Sequence, residues 1–323
     1  MPIREAVILA AGLGLRMRPL TNFCPKPSLP FLNRPILHWL LDSLREAGVR
    51  RVYINLHHLP QALRATAESG ARGLDLRFSF EPEILGTAGL FGPLRGLMQE
   101  EAFLVVNGDM VHDIPYGRLE DALSANPEAL AALALRPLEP PYTPVAMGED
   151  GRITSFGGRG TFMFAGIYAA RRALLERLPG PGVRQLVPDL LRPLLPAGAI
   201  RGVPCSERWH DLGSPRTFLS ASLASARAMA EGRCAIPAGS VLEMRDRQPL
   251  LRHASALISR DAVLTGPLVA GEGTRVEPRA HVGRAVLLDR VRVGPGERLE
   301  DCLAMAVAAD RLVIPAGARF LPT

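Results

Sequence analysis

The most constraining feature of this chain is an apolar run, Ala6-Val7-Ile8-Leu9-Ala10, that passes directly into Ala11-Gly12-Leu13-Gly14. A strand with no polar alternation has no solvent face, so it must be covered on both sides, as parallel strands are inside an α/β sheet. Glycines at its carboxyl end let the backbone turn tightly and bring N–H groups close to a ligand without interference from Cβ. Open α/β sheets place their ligands at such strand ends.

The rest of the first two thirds fits that architecture. Pro35 opens a segment with apolar residues at 36, 37, 40, 41, 44 and 47, spaced for one helix face, and Gly48 stands where a C-terminal cap belongs. Strands are predicted over Val52-Tyr53-Ile54, 74–80, 103–106, 162–169 and 200–203, and helices over 88–98, 184–195 and 215–231. The strand at 103–106 ends in Asn107-Gly108-Asp109. Residues 137–160, rich in Pro, Gly and charge, read as a loop with short edge strands. The fold class is α/β: a Rossmann-like mixed, mainly parallel sheet with flanking helices.

After Gly232 the texture changes to short aliphatic-anchored units. Ile258-Ser-Arg-Asp-Ala-Val, Val276-Glu-Pro-Arg-Ala-His, Val282-Gly-Arg-Ala-Val-Leu and Ile314-Pro-Ala-Gly-Ala-Arg put an aliphatic residue first and a small one at or near the fifth place. In a parallel β-helix the aliphatics point inward and the small residues fit the corners, so a hexapeptide-repeat domain is expected over 233–323, following a domain over 1–232.

Composition narrows the setting. No apolar run reaches the roughly 18 to 20 residues needed to cross a bilayer, and the N-terminus lacks the h-region of a signal peptide. Cys24, Cys205, Cys234 and Cys302 lie far apart with no C-x-x-C, which argues against a zinc ribbon or a secreted disulfide scaffold. A cytoplasmic protein with no membrane partner is expected. The formal net charge is +6, yet the basic residues are scattered and not interleaved with aromatics, so no nucleic acid partner is expected. Of the 38 basic side chains a single one, Lys26, is lysine.

That lysine belongs to the most informative segment, which runs from Leu9-Ala-Ala-Gly-Leu-Gly-Leu-Arg-Met-Arg-Pro-Leu-Thr21 through Pro25-Lys26-Pro27 to Leu29-Pro30. It is no Walker loop, since no Gly-Lys-Ser/Thr closes it, and Met17 occupies the third glycine position of a dinucleotide fingerprint. The glycine turn, Arg16 and Pro-Lys-Pro at this spacing resemble the signature of the sugar-1-phosphate nucleotidylyltransferases. These enzymes join a nucleoside triphosphate to a sugar 1-phosphate and release pyrophosphate. Further segments are similar to the family's, in family order, over about residues 5 to 225: Leu85-Gly86-Thr87-Ala88-Gly89 to its nucleobase loop, Val105-Val106-Asn107-Gly108-Asp109 to its metal-binding strand end, Phe164-Ala165-Gly166-Ile167-Tyr168 to its sugar-site strand, and Trp209-His210-Asp211-Leu212-Gly213 to its W-x-D-x-G segment. The C-terminal region resembles the short left-handed β-helix that many members carry.

The resemblance implies roles residue by residue. In-line attack by a sugar phosphate on an α-phosphorus brings two polyanions together, so the site has to neutralise charge. Asp109 and Asp211 would hold Mg²⁺, a hard cation suited to carboxylate and phosphate oxygens. Arg16 would grip the triphosphate as a fork, and Lys26 would act as a compact point charge near the reacting phosphates. Ala10, Ala11, Gly12, Gly14, Glu81, Gly86 and Thr87 are the expected nucleotide-binding positions, and Asn107, Gly108 and Gly166 those for the sugar phosphate. His57, His58 and His210 have no proton to transfer in this reaction and are expected to be packing or surface residues.

Two departures stand out. Leu15 occupies a place where the family has a polar residue, and no Glu-Lys-Pro segment precedes the sugar-site strand; Arg159 lies nearby as a substitute cation, or the chain follows the subgroup that lacks this lysine. Overall the pattern is most similar to mannose-1-phosphate guanylyltransferases, implying GTP and mannose 1-phosphate, with Glu81 or Glu83 able to accept from guanine N1–H and its amino group. Uridylyl or thymidylyl transfer, a non-catalytic nucleotide-sugar-binding subunit, and acyl transfer in the β-helix involving His253 and His281 are the competing readings. A homo-oligomer through the C-terminal region is expected, because an open-ended β-helix buries its edges against another protomer.

Overall fold

The apolar run at the start of the chain forms strand β1 (Glu5–Leu9), buried on both faces as its composition requires, with Ala6, Val7 and Ile8 fully inaccessible. The computed structural model describes residues 2–308 and 310–315. They fall into two compact units: Met1–Gly12, Leu37–Gly108 and His112–Trp209 form the first, and Leu13–Ile36, Asp109–Val111 and His210–Thr323 the second.

The first unit is built on a nine-stranded mixed sheet. Its parallel part contains β1, β2 (Arg51–Leu56), β3 (Asp75–Phe80) and β4 (Ala102–Asn107), with β1 central between β2 and β4. Beyond β4 lie β5 (Ala131–Pro137), β6 (Pro144–Met147), β7 (Ile153–Phe156), β8 (Phe162–Arg171) and β9 (Ile200–Pro204). β8 runs antiparallel to β4, β5 and β6, and β9 pairs parallel with β5. The short strands expected in 137–160 are β6 and β7; β7 lies at the sheet edge, whereas β6 pairs with both β7 and β8. Helix α1 (Ile36–Glu46) buries Ile36, Leu37, Leu40, Leu41 and Leu44, the spacing predicted, and Gly48 follows it in the left-handed region; helix α2 (Pro60–Gly70) lies between β2 and β3 in the chain.

Several local expectations differ from the fold. The helix predicted over 88–98 is two four-residue turns, α3 (Gly86–Gly89) and α4 (Phe91–Leu94); Gly89 and Gly92 disfavour helix and Pro93 supplies no donor. The helix predicted over 184–195 is a π-turn at Leu186–Leu191 followed by a 3-10 turn at Arg192–Leu194, because Pro188 and Pro193 interrupt the i→i−4 ladder. The segment of β5 is rich in alanine. It forms a strand because β8 and β9 pair with it on either side and leave Ala131 to Leu135 fully buried.

In the second unit, helix α5 (Pro215–Ala230) starts at Ser214 with a capping box: Thr217 N–H donates to Ser214 Oγ at 3.2 Å, and Ser214 N–H to Thr217 Oγ1 at 3.1 Å. A region of stacked coils follows. Gln248–His253, Leu268–Ala270, His281–Leu287 and Arg298–Val307 form one parallel stack, with Leu251, Val269, Val286 and Leu303 in register. Ile258, Val276 and Val293 define a second stack, and Leu264, Val282 and Leu299 a third. The aliphatics of the second and third stacks line the interior, while in the first the alternate residues Leu250, Leu268, Ala285 and Cys302 do so; Ala262 and Ala280, fifth in their hexapeptides, are buried. Ile314 departs from the expected repeat: it lies on Asp310–Pro315, which pairs antiparallel with the last coil strand, Ile314 opposite Leu303, and the rest of that unit lies outside the described residues.

Candidate active site

In the second unit the signature segment folds as three single 3-10 turns, Leu15–Met17, Leu20–Asn22 and Lys26–Ser28. Gly14 caps the first at φ 63°, a conformation that favours glycine, and its carbonyl accepts from the buried Thr21 hydroxyl at 2.9 Å. Met17 is fully buried and anchors the turn, leaving Arg16 exposed. Pro25 and Pro27 flank Lys26 and restrict its backbone, and Lys26 Nζ meets Asp109 Oδ2 at 2.6 Å.

Asp109 is tied to the segment carrying the second carboxylate. Leu212 N–H donates to the Asp109 carbonyl at 2.9 Å, and Gly213 N–H donates to Asp211 Oδ1 at 2.6 Å. Arg16 converges on the same turn: a Cβ on Gly213 would lie 2.5 Å from Asp211 Oδ1 and 2.7 Å from Arg16 Nη2. The second unit thus brings together all four expected catalytic side chains: Lys26 pairs with Asp109, Asp211 follows on the turn bonded to Asp109, and Arg16 lies beside it.

The two carboxylates, Asp109 and Asp211, offer hard oxygen donors of the kind that suit a magnesium ion held by one or two protein ligands and substrate phosphates. Among the described residues no group of three or more His, Cys, Asp or Glu could form an all-protein metal cage.

The expected ligand-facing positions of the first unit are also placed. Asn107 ends β4 opposite Leu9. Gly108 follows, donates to the Leu9 carbonyl at 2.9 Å, and has no room for a side chain because a Cβ would lie 2.7 Å from that oxygen. Gly86 and Thr87 open α3; Thr87 Oγ1 accepts from Leu186 N–H at 2.8 Å, which docks the turn on the segment after Arg184. Gly166 sits in the irregularity of β8, beside Ala165, whose carbonyl accepts from Trp209 Nε1 at 3.0 Å. Arg159 is exposed in the loop between β7 and β8.

Three of the expected nucleotide-binding residues have partners within the protein. The Ala10 and Ala11 N–H groups do not point freely into solvent; they donate to Asn55 Oδ1 at 2.6 and 3.3 Å. Glu81, offered above as a partner for guanine, is 1% exposed, and both of its oxygens are engaged, by Asn55 Nδ2 at 2.8 Å and Leu85 N–H at 2.9 Å. A carboxylate so enclosed holds chain segments rather than a base, whereas Glu83 is exposed. Asn55 itself escaped the sequence reading; its only signal was a lone amide near the end of the apolar strand Val52–Leu56.

Comparison with known proteins gives the family of the chain. A family model described as "Nucleotidyl transferase" matches residues 5–227. The chain is 29% identical over 301 residues to a mannose-1-phosphate guanylyltransferase of Mycobacterium tuberculosis, covering 90% of this chain and 82% of that protein. It is 33% identical over 218 residues to an N-acetylmuramate alpha-1-phosphate uridylyltransferase of Neisseria meningitidis, covering 65% of this chain and 93% of that one. A UTP–glucose-1-phosphate uridylyltransferase of Synechocystis is 26% identical over 338 residues, covering 93% and 86%. In fold, the chain is similar to HddC from Yersinia pseudotuberculosis, with TM-score 0.60 at 21% identity over 68% of this chain and 98% of that one. Signature, site geometry and family match together place this chain among the sugar-1-phosphate nucleotidyltransferases of the nucleotidyl transferase family.

Proposed function

We propose that this protein transfers GMP from GTP to mannose 1-phosphate, forming GDP-mannose and pyrophosphate. The observation that carries the transfer chemistry is the Lys26–Asp109 pair, with Asp211 on the turn bonded to Asp109 and Arg16 beside that turn. The sugar phosphate is already a nucleophile, so the protein needs no general base and contributes orientation and charge. Arg16 binds the triphosphate through its fork, and Lys26 places a compact positive charge beside the reacting phosphates. Asp109 and Asp211 would hold Mg²⁺, and the ion would supply positive charge to offset that developing on the leaving pyrophosphate. Gly86 and Thr87 carry the base loop, and Asn107, Gly108 and Gly166 the sugar-phosphate side.

The guanine and mannose assignments are supported by similarity to the mycobacterial mannose-1-phosphate guanylyltransferase along most of both chains, coils included. With Glu81 enclosed, Glu83 is the carboxylate of that loop left to accept from guanine. Uridylyl transfer is the second reading, favoured by the 33% identity to the neisserial uridylyltransferase. Initial rates with mannose 1-phosphate and either GTP or UTP separate the two: the proposal requires GTP to be used far faster, and faster turnover of UTP overturns it.

We also read residues 1–232 as the catalytic domain and 233–323 as a left-handed β-helix that joins protomers into a homo-oligomer. Among the described residues no helix is long and apolar enough to cross a membrane. We place the enzyme in the cytoplasm, where its nucleotide and sugar-phosphate substrates are found.

A further inference from the structure

Asn55 and Glu81 are both buried, 4% and 1% exposed, and neither belongs to the charge cluster described above. Asn55 Oδ1 accepts from the Ala10 and Ala11 N–H groups, which fixes its amide so that Nδ2 faces Glu81 Oε1. The second Glu81 oxygen accepts from Leu85 N–H, the residue before Gly86 and Thr87. The backbone of Glu81 is held as well: its N–H donates to the Leu56 carbonyl at 2.8 Å, and its own carbonyl lies 2.8 Å from His57 Nδ1. One unbroken chain of hydrogen bonds therefore runs from the end of β1 to the start of the Leu85–Gly89 turn.

The chemistry of this chain is specific. An asparagine presents an acceptor on one side and a donor on the other within one short planar group, which two backbone N–H groups and a carboxylate together demand. A carboxylate buried at this depth is costly unless donors satisfy it, and an apolar pair of similar volume would serve stability as well or better. What an apolar pair cannot do is set the separation of two backbone segments through directed bonds.

We propose that Asn55 and Glu81 are positioning residues for the nucleoside triphosphate: a buried strut that holds the strand end at Ala10–Ala11 and the turn at Leu85–Thr87 at a fixed spacing. The proposal rests on the nucleotidyl-transfer reading. Both segments it joins are on the nucleotide side of the reaction, so its loss weakens nucleotide binding and leaves the sugar 1-phosphate unaffected.

The test compares wild type, Asn55→Asp, Glu81→Gln and the double variant N55D/E81Q. GTP and then UTP binding is measured by calorimetry with Mg²⁺, both KM values by pyrophosphate release, and stability by thermal unfolding. Each single change breaks one donor–acceptor match and should raise the nucleotide Kd and KM about tenfold, with the sugar-phosphate KM changed less than about twofold. In the double variant the introduced aspartate accepts from Ala10, Ala11 and the introduced glutamine's N–H, and the glutamine carbonyl accepts from Leu85. Nucleotide affinity should return to within about threefold of wild type. Asn55→Asp sets two carboxylates face to face and can impair folding, in which case the isosteric Glu81→Gln carries the test.

Unchanged nucleotide affinity in Glu81→Gln overturns the proposal. So does a fall in Tm with both KM values moving together, the mark of a purely structural pair. Wild-type nucleotide binding without turnover refutes the transfer reading alone, and the strut is then decided by the Kd comparison. No nucleotide binding by wild type overturns both.

Discussion

Lys26 Nζ stands 2.6 Å from Asp109 Oδ2, joining residues 83 apart in sequence, and the lysine side chain is only 10% exposed. In a chain whose other basic side chains are all arginine, this position keeps an ammonium. The compact group fits where a planar guanidinium would need more width and would present its donors in a fixed fork. Lys26→Ala should lower kcat/KM by at least about a thousandfold, and Lys26→Arg by at least about tenfold, each with the fold retained by circular dichroism. A Lys26→Arg enzyme running at the wild-type rate would mean that the lone lysine is an accident of composition.

Gly108 and Gly213 both lack room for a Cβ, for different reasons, and their alanine variants should fail differently. At Gly108 the obstacle is the Leu9 carbonyl at 2.7 Å, rigid backbone in the neighbouring strand. Gly108→Ala should cost about 2 kcal/mol of stability and lower activity by shifting the strand end that precedes Asp109. At Gly213 the obstacles are the ends of the Asp211 and Arg16 side chains, which can move. Gly213→Ala should change Tm by only a few degrees while lowering kcat at least about tenfold. Thermal unfolding and initial rates on the two proteins check the contrast.

Much of the site was legible because its chemistry is local in sequence. The apolar run into Gly12 and Gly14, the spacing to Arg16 and Lys26, and Asn107-Gly108-Asp109 at a strand end each lie within a few residues, and the fold places them as read. Asn55 was not legible, because its partners lie 26 to 45 residues away and only the parallel pairing of β1, β2 and β3 brings them together. The partners of Glu81 were hidden for the same reason: it stands next to the base loop in sequence, but burial turns it toward Asn55. Local propensity also failed where proline decided the outcome, as in the π-turn at Leu186–Leu191.

A third expectation concerns pH. His112 is 7% exposed, accepts from Ile114 N–H through Nδ1 at 3.2 Å, and contacts the Tyr116 hydroxyl through Nε2 at 3.1 Å, an arrangement that suits the neutral ring. Burial pushes its pKa down to about 4 from 6.5. Above pH 6.5 neither state carries the proton; below it the unfolded chain takes up a proton that the folded protein refuses until about pH 4. Stability should therefore fall as pH is lowered across that window, by about 3 kcal/mol in total from this group. His112→Asn, which keeps an acceptor for Ile114, should remove that part of the slope, and denaturant unfolding from pH 7 to pH 4 measures it. An unchanged slope in the variant would assign the acid sensitivity to other groups.

The central claim is metal-assisted nucleotidyl transfer through Lys26, Asp109 and Asp211. The most direct test is pyrophosphate release by wild type and Asp109→Asn, with Mg²⁺ and then with EDTA, across GTP, UTP, dTTP, CTP and ATP against mannose, glucose and N-acetylated sugar 1-phosphates. The account predicts one substrate pair, GTP with mannose 1-phosphate, turned over far above the rest, with the activity lost in EDTA and reduced at least about a thousandfold in the variant. Turnover that persists in EDTA, or an Asp109→Asn enzyme as fast as wild type, would contradict it.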